Sequence, residues 1–426
     1  MEAIMLTDPA AQQLFDALCR IPLIDPHSHI DPRRPTARSL DDILGYHYYT
    51  ELAHSAGMSK ELLADNADPR ERVRAILAHM QRFDNTVQFG WFLEIARSFL
   101  GFEGERLTAA DCDWLCDTAD RVFGQHDWEA QVLRASNVEK VFLTNDFDDP
   151  LEGFDTSRYV PCLRTDELVF HLDKPGVRQR LLAATGVEIG DVASLRRALR
   201  HLFERFASKG AKACAISLPP RFCPYTESAR LFERYLTNRF IETPDHNVRA
   251  RGVFWSLAEL CHDFNLPFDL RIGVNRQVYQ NGVFHGQDLF DARTSLFQYR
   301  KLLNAFPEVT FCVSVLSSAQ NQELASYSWI FPNVVTSGHW WYSNIPALIE
   351  QDVRLRLQAV PKTKQLGYYS DAYKLEFALP KFNLYRRILA KVLLEDFIRP
   401  GIYSESQALD MARLLLRDNA RRIFHV

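Results

Sequence analysis

Residues 21–31 read IPLIDPHSHID, and they set two histidines, His27 and His29, two positions apart at the end of a short apolar run. Side chains alternate faces along a strand, so positions i and i+2 point the same way. Two neutral imidazoles on one face form a ready pair of ligands for a divalent metal. The competing reading makes both surface histidines in a turn set by Asp25, Pro26 and Asp31. What lies downstream decides between them, because a metal pair at a strand end implies a sheet whose other strand ends complete the site.

Strand-length apolar runs do recur. They are VEKVFLTND at 138–146, YVPCLRTD at 159–166, AKACAISL at 211–218, PFDLRIGV at 267–274, VTFCVSVL at 309–316, VVTSGHWW at 334–341 and QLGYYSD at 365–371. With 21–29 they make eight, nearly apolar on both faces, as parallel strands covered by helices require. Helical sequence separates most of them, for example SLRRALRHLFERFASKG at 194–210 and TSLFQYRKLLNAF at 294–306. Eight strand-then-helix units predict an α/β fold of the (β/α)8 TIM-type barrel class. Between the first two runs, roughly 39–134, apolar residues keep helical spacing and no strand-like run intervenes. The expected organisation is therefore a barrel built from 1–34 and 135–426, with a large helical insertion after the first strand, 35–134, covering its mouth.

Composition narrows the function. The 426 residues are 47% hydrophobic and 24% charged, with a formal net charge of −4, so neither nucleic acid nor an anionic membrane surface is an expected partner. No apolar span reaches 18 residues, so no membrane helix is expected. The opening MEAIMLTDPAAQQLFDALCR has no basic segment followed by an apolar core, and the eight cysteines show no CxxC spacing. A cytoplasmic protein with reduced, buried thiols is the expectation.

Active sites of such barrels lie at the C-terminal ends of the strands. Standing there are His27 and His29, Asn145 and Asp146, Arg164 and Asp166, Ser217, Arg271 with Arg276 beyond it, Ser317, the SGHWWYSN segment, and Asp371. First and eighth strands are neighbours in a closed barrel, so His27, His29 and Asp371 can meet on one ion. Each group has a plainer role open to it. Asp371 can cap the following helix, and Arg164 with Asp166 can be a rim ion pair. Of Trp340 and Trp341, adjacent at a strand end, one is expected to face the cavity, and His339 is either ligand-facing or on the rim.

These residues, in this order, resemble the uronate isomerase (glucuronate isomerase) family of the amidohydrolase superfamily. DPHSH is similar to its first-strand His-x-His, LGYHYYTELAHSAGM (44–58) to its Gly-Asp-His-Tyr-Lys-Trp-Arg segment, and LTNDFDDPLE (143–152) to Thr-Thr-Asp-Asp-Pro. PCLRTDEL, LRIGVNRQ, SGHWWYSN and YSDAYKLEF follow its later motifs, and MARLLLRDNARRIF its C-terminal helix. The resemblance implies metal ligands His27, His29 and Asp371, a substrate-side tyrosine at Tyr48, sugar-acid arginines at Arg164 and Arg276, and a wall at Trp340. Three positions depart from the pattern: Tyr373 and His54, still expected to line the substrate, stand where the family has arginine, and Arg271 where it has a fifth-strand histidine. A guanidinium does not ligate metal, so Arg271 is expected to anchor a carboxylate or phosphate instead.

The implied reaction is a metal-dependent interconversion of an aldohexuronate and its keto acid, D-glucuronate with D-fructuronate or D-galacturonate with D-tagaturonate. Asp371 or a metal-bound water would move the proton and Tyr48 would polarise oxygen, while Arg164, Arg276 and Arg271 hold the sugar acid. The alternative from the same residues is an amidohydrolase-type hydrolase of a lactone, ester or amide of a sugar acid. One divalent ion is expected, zinc first, with manganese, iron and nickel open. Residues 79–102 are apolar and aromatic enough for a homo-oligomer interface or for packing on the barrel.

Overall fold

A computed structural model of the chain describes residues 6–63, 67–227, 229–237, 247–283 and 285–426. Its parallel strands fall in two hydrogen-bonded sets. The first is β1 (Leu23–Asp25), β2 (Val138–Phe142) and β3 (Tyr159–Val160), in that order. The second contains β4 (Cys162–Arg164), β5 (Ala213–Leu218) and β6 (Phe268–Ile272). A two-stranded antiparallel pair, β7 (Val274–Asn275) with β8 (Leu289–Phe290), follows β6 in the chain. The remaining strands are β9 (Phe311–Val315), β10 (Val334–Ser337) and β11 (Gln365–Leu366), giving a six-stranded order β11-β10-β9-β6-β5-β4.

Two features join the sets. The run 159–166 is broken at Pro161, which has no N–H for the ladder, and an isolated parallel bridge pairs Asn145 with Leu163 across the break. At the other edge the Asp371 amide donates to the His27 carbonyl at 3.1 Å and the His29 amide to the Ala372 carbonyl at 2.8 Å. First and last runs therefore meet through backbone, beyond the ends of their regular strands. The molecule is thus a mixed α/β fold on a parallel sheet, with helices between the strands.

Alternation along the strands sorts their side chains. Ile216, Leu218, Leu270, Ile272, Val313 and Val315 pack outward on the helices. Small inward residues, Cys162, Ala213, Ala215 and Cys312, form a separate core with Ile24, Phe142 and Val335, filled from below by Ile423 and Phe424 of the C-terminal helix. Further along the strands the inward positions turn polar: register sets Ser217 beside Arg271 and Arg271 beside Ser314. The polar end is where the site lies.

Residues 35–134 contain helices and no strand among the described residues. Asp68 caps the helix Pro69–Met80 by accepting from the Arg70 and Glu71 amides, with Pro69 at its first position. Phe89, Phe92 and Ile95 of the helix Val87–Leu100 share one buried core with Phe382, Tyr385 and Leu389 of the helix Ala378–Leu393. All eight cysteines are free thiols, six of them buried. Among the described residues no helix is long and apolar enough to cross a membrane.

Candidate active site

β1 ends at Asp25, two residues before His27, so neither histidine stands in regular strand. They still project together: their ring centroids are 5.1 Å apart. Asp371 likewise lies past β11, with φ of +51°, a left-handed backbone that Asp tolerates better than most residues. Ser370 holds that turn in place. Its amide donates to Asp25 Oδ1 at 2.9 Å, its hydroxyl to Asp25 Oδ2, and its carbonyl accepts from Lys381 Nζ at 2.7 Å. Asp371 does not cap the next helix, a short 3-10 turn at Leu375–Phe377 preceded by Lys374.

One carboxylate oxygen, Asp371 Oδ1, lies 3.4 Å from Nε2 of both His27 and His29. One ligand atom from each of the three residues falls within 4.8 Å of the others, a group of the right chemistry for a divalent ion. His27 Nε2 and Asp371 Oδ1 are buried without any hydrogen-bond partner, a costly arrangement that an ion between them removes. The far nitrogens are engaged. His29 Nδ1 meets Thr144 Oγ1 at 2.7 Å, and His27 Nδ1 lies 3.2 Å from Asp269 Oδ2. Burial pushes His29 down to about 4, so it stands as the neutral imidazole a metal requires. Burial alone would raise the Asp371 carboxyl, but the adjoining imidazoles of His27 and His29 hold it well below the usual carboxylate range.

These groups open on a cavity of about 880 Å³, which His29, Tyr48, Arg164, Arg271, Arg276, Trp340, Tyr373 and Asp371 all line. Tyr48 donates its hydroxyl to Asp371 Oδ2 at 3.4 Å, and Tyr46 donates to the Asp371 carbonyl at 3.1 Å. Arg164 gives Nε to Asp166 at 3.2 Å and Arg276 gives a terminal nitrogen to Asp288 at 2.6 Å. Both remain partly exposed, and each keeps donors of its five-donor fork for a ligand. Tyr373 stacks on His29 at 5.0 Å and 27°.

Four sequence expectations are corrected here. Arg271 does reach the cavity, but the protein itself takes up its guanidinium: Nε to His27 Nδ1 at 3.2 Å, one terminal nitrogen to Asp269 at 2.9 Å and the other to Ser314 Oγ at 3.4 Å. It is only 2% exposed and lies 4.1 Å over the Tyr369 ring, so it is not a free anion anchor. His54 is not among the cavity walls; its Nδ1 meets the Met58 carbonyl at 3.1 Å and its ring faces Tyr279. His339 is neither on the rim nor at the ligand atoms but buried beside Asp352, Tyr368 and Tyr385. Trp340 and Trp341 both line the cavity, because β10 stops at Ser337 and alternation no longer applies.

The structure also adds residues. His47 lines the cavity beside Tyr48, pushed by burial to about 3, and Glu51 one turn along is pushed up to about 8, again by burial with the Asp288 charge adding to it. His47 sits inside the motif that yielded Tyr48, and adjacency to it was the available signal. Asp269 was visible as a lone acid two residues before Arg271 in an otherwise apolar run.

Known proteins match this arrangement along its length. A uronate isomerase of Nostoc punctiforme is 22% identical over 464 residues, spanning 97% of this chain and 94% of that one. The crystal structure of uronate isomerase from Thermotoga maritima superposes with a TM-score of 0.90 at 19% identity, covering 100% of this chain and 99% of that one. Glucuronate isomerase from Caulobacter crescentus gives 0.90 at 17% identity, covering 100% and 96%. At these identities the structural likeness speaks for the fold. Membership comes from the family model: residues 1–424 match that of UxaC, glucuronate isomerase, and the chain belongs to this family.

Proposed function

We propose that this chain is a metal-dependent uronate isomerase, an aldose–ketose isomerase that interconverts D-glucuronate and D-fructuronate or D-galacturonate and D-tagaturonate. The observation that carries this reading is the meeting of three ligand atoms beside one cavity that is lined by a tyrosine on the second oxygen of the shared carboxylate and by two arginines with donors to spare. The fold reading that goes with it is a (β/α)8 barrel of residues 1–34 and 135–426, with 35–134 as a helical insertion at its mouth. The backbone bonds between the first and last runs support closure.

His27, His29 and Asp371 would hold one divalent ion, zinc first, with manganese, iron or nickel as alternatives. When bound, it supplies Lewis-acid stabilisation of the negative charge that develops on the two neighbouring sugar oxygens. The rest falls to the chain. Conversion of aldose to ketose removes a proton from carbon 2 and returns one to carbon 1, while the O2 hydrogen passes to O1. Asp371 Oδ2, ionised and facing the cavity, takes and returns the carbon proton. Tyr48, whose hydroxyl burial holds protonated, donates to the oxygen under reaction. Arg164 and Arg276 clamp the carboxylate and fix which carbons meet Asp371. Trp340 and Tyr373 wall the ligand from water. Hydrolysis of a lactone, ester or amide requires no carboxylate clamp, and the two arginines support isomerisation.

The test is elemental analysis of the purified protein together with ketose formation from D-glucuronate and D-galacturonate. About one equivalent of metal and ketose formation are expected, both lost in His27→Ala/His29→Ala. Metal-loaded protein that forms no ketose from any aldohexuronate would overturn the proposal.

A further inference from the structure

Resting on the metal reading above, we infer that Asp269, kept ionised by Arg271, is the positioning residue that turns His27 so that its Nε2 lone pair faces the ion. Positions 269 and 271 alternate along β6, so both side chains enter the interior beneath the ligand atoms. Both residues are buried, as is His27. Two groups compete for one nitrogen: His27 Nδ1 lies 3.2 Å from Asp269 Oδ2 and 3.2 Å from Arg271 Nε. The two contacts demand opposite states of the ring. If Nδ1 carries the hydrogen, it donates to Asp269 and leaves Nε2 a free lone pair. If Nδ1 accepts from Arg271, the hydrogen sits on Nε2, aimed at Asp371 Oδ1 3.4 Å away, and His27 cannot ligate.

Asp269 prevails because it is a full charge accepting from a neutral donor, whereas Arg271 has other partners to satisfy it. Arg271 gives one terminal nitrogen to Asp269 at 2.9 Å and the other to Ser314, and its plane lies on Tyr369. Its part is to make a buried carboxylate tolerable. A carboxylate behind a ligating imidazole fixes its orientation and raises its basicity, and removing such a partner typically costs 10–100-fold in metal affinity. The neighbouring His29 has only the Thr144 hydroxyl in that place, so the two ligands differ in how firmly they are held.

The two partners are therefore predicted to differ in the size of their effect, which a merely structural ion pair would not. The zinc Kd is measured by chelator competition on the full chain for wild type, Asp269→Asn, Arg271→Met and the charge-neutral double variant. Expected are a 10–100-fold weakening in Asp269→Asn and in the double variant, and a smaller weakening in Arg271→Met, where Asp269 remains as the acceptor for His27 Nδ1–H. In the zinc-loaded protein labelled at histidine, the Nδ1–H proton of His27 should resonate far downfield and move upfield on Asp269→Asn but not on Arg271→Met. Unchanged zinc affinity in Asp269→Asn, or equal weakening in Arg271→Met, would overturn the inference. Should Arg271→Met fail to fold, the double variant decides: wild-type affinity there overturns it. A wild-type protein that takes up no zinc or other divalent ion would instead sink the metal reading itself.

Discussion

The two oxygens of Asp371 face different partners: Oδ1 lies 3.4 Å from both His27 and His29, and Oδ2 accepts from Tyr48 at 3.4 Å. On the proposed reading one carboxylate serves the metal at one oxygen and the proton transfer at the other, and variants at the two ends should separate the roles. Tyr48→Phe is expected to lower kcat on an aldohexuronate by about 10²-fold, the lower range for a positioned acid–base group, with metal content unchanged. Asp371→Asn should lower kcat further and also release metal. Steady-state rates beside elemental analysis check both; equal metal loss in the two variants would contradict the division.

Removing the ion should be felt in stability. An ion at 100 times its Kd contributes about 2.7 kcal/mol to the folded state. With an unfolding entropy near 2.1 cal/mol/K for each of 426 residues, that corresponds to a melting temperature about 3 °C lower after chelation. Calorimetry with and without a strong chelator measures the shift. His27→Ala/His29→Ala should show no chelator-dependent shift, since nothing remains to be stripped.

How far the sequence foretold this site depends on where regular structure stops. His27 and His29 were legible because an i, i+2 spacing survives even in the extended segment past β1, and Asp371 because the expected adjacency of first and last runs is met by the backbone bonds between them. The helical stretch 35–134 was legible from its period and from caps such as Asp68 before Pro69. Alternation misled where a strand ended early: β10 stops at Ser337, Gly338 takes a φ of +46°, and the chain buries His339 while both tryptophans reach the cavity. Arg271 misled for a different reason. Its role depends on Asp269, His27 and Ser314, three partners from three strands or their extensions, and such convergence leaves no local signature. The hairpin of β7 and β8, which sets Arg276 against Asp288, has strands too short to carry a period.

Arg164 and Arg276 are each exposed enough that their own ion pairs contribute little to folding, so alanine there should cost less than about 1 kcal/mol. A charge-assisted bond to a ligand carboxylate is worth about 1.5–3 kcal/mol, so either variant should raise KM for a hexuronate by about 10–100-fold. The matching aldohexose, which lacks the carboxylate, should show no such change. Kinetics on the two substrates make the comparison, and an equal loss on both would point away from a carboxylate clamp.

His339 offers a pH prediction away from the ligand atoms. It is 1% exposed, and burial pushes it down to about 4 from 6.5, against the pull of Asp352. Its folded pKa lies below its unfolded one, so between pH 6.5 and 4 the unfolded chain takes up a proton that the folded chain refuses. Stability from the neutral ring is therefore complete above pH 6.5 and declines as pH falls through that window. From pH 7.5 to pH 5 the loss amounts to about 2 kcal/mol for this residue alone. Denaturant unfolding at the two pH values, in wild type and in His339→Gln, isolates it: the variant should lose about 2 kcal/mol less than wild type over the same interval. Equal losses in the two proteins would mean that His339 reaches solvent and titrates normally in the folded state.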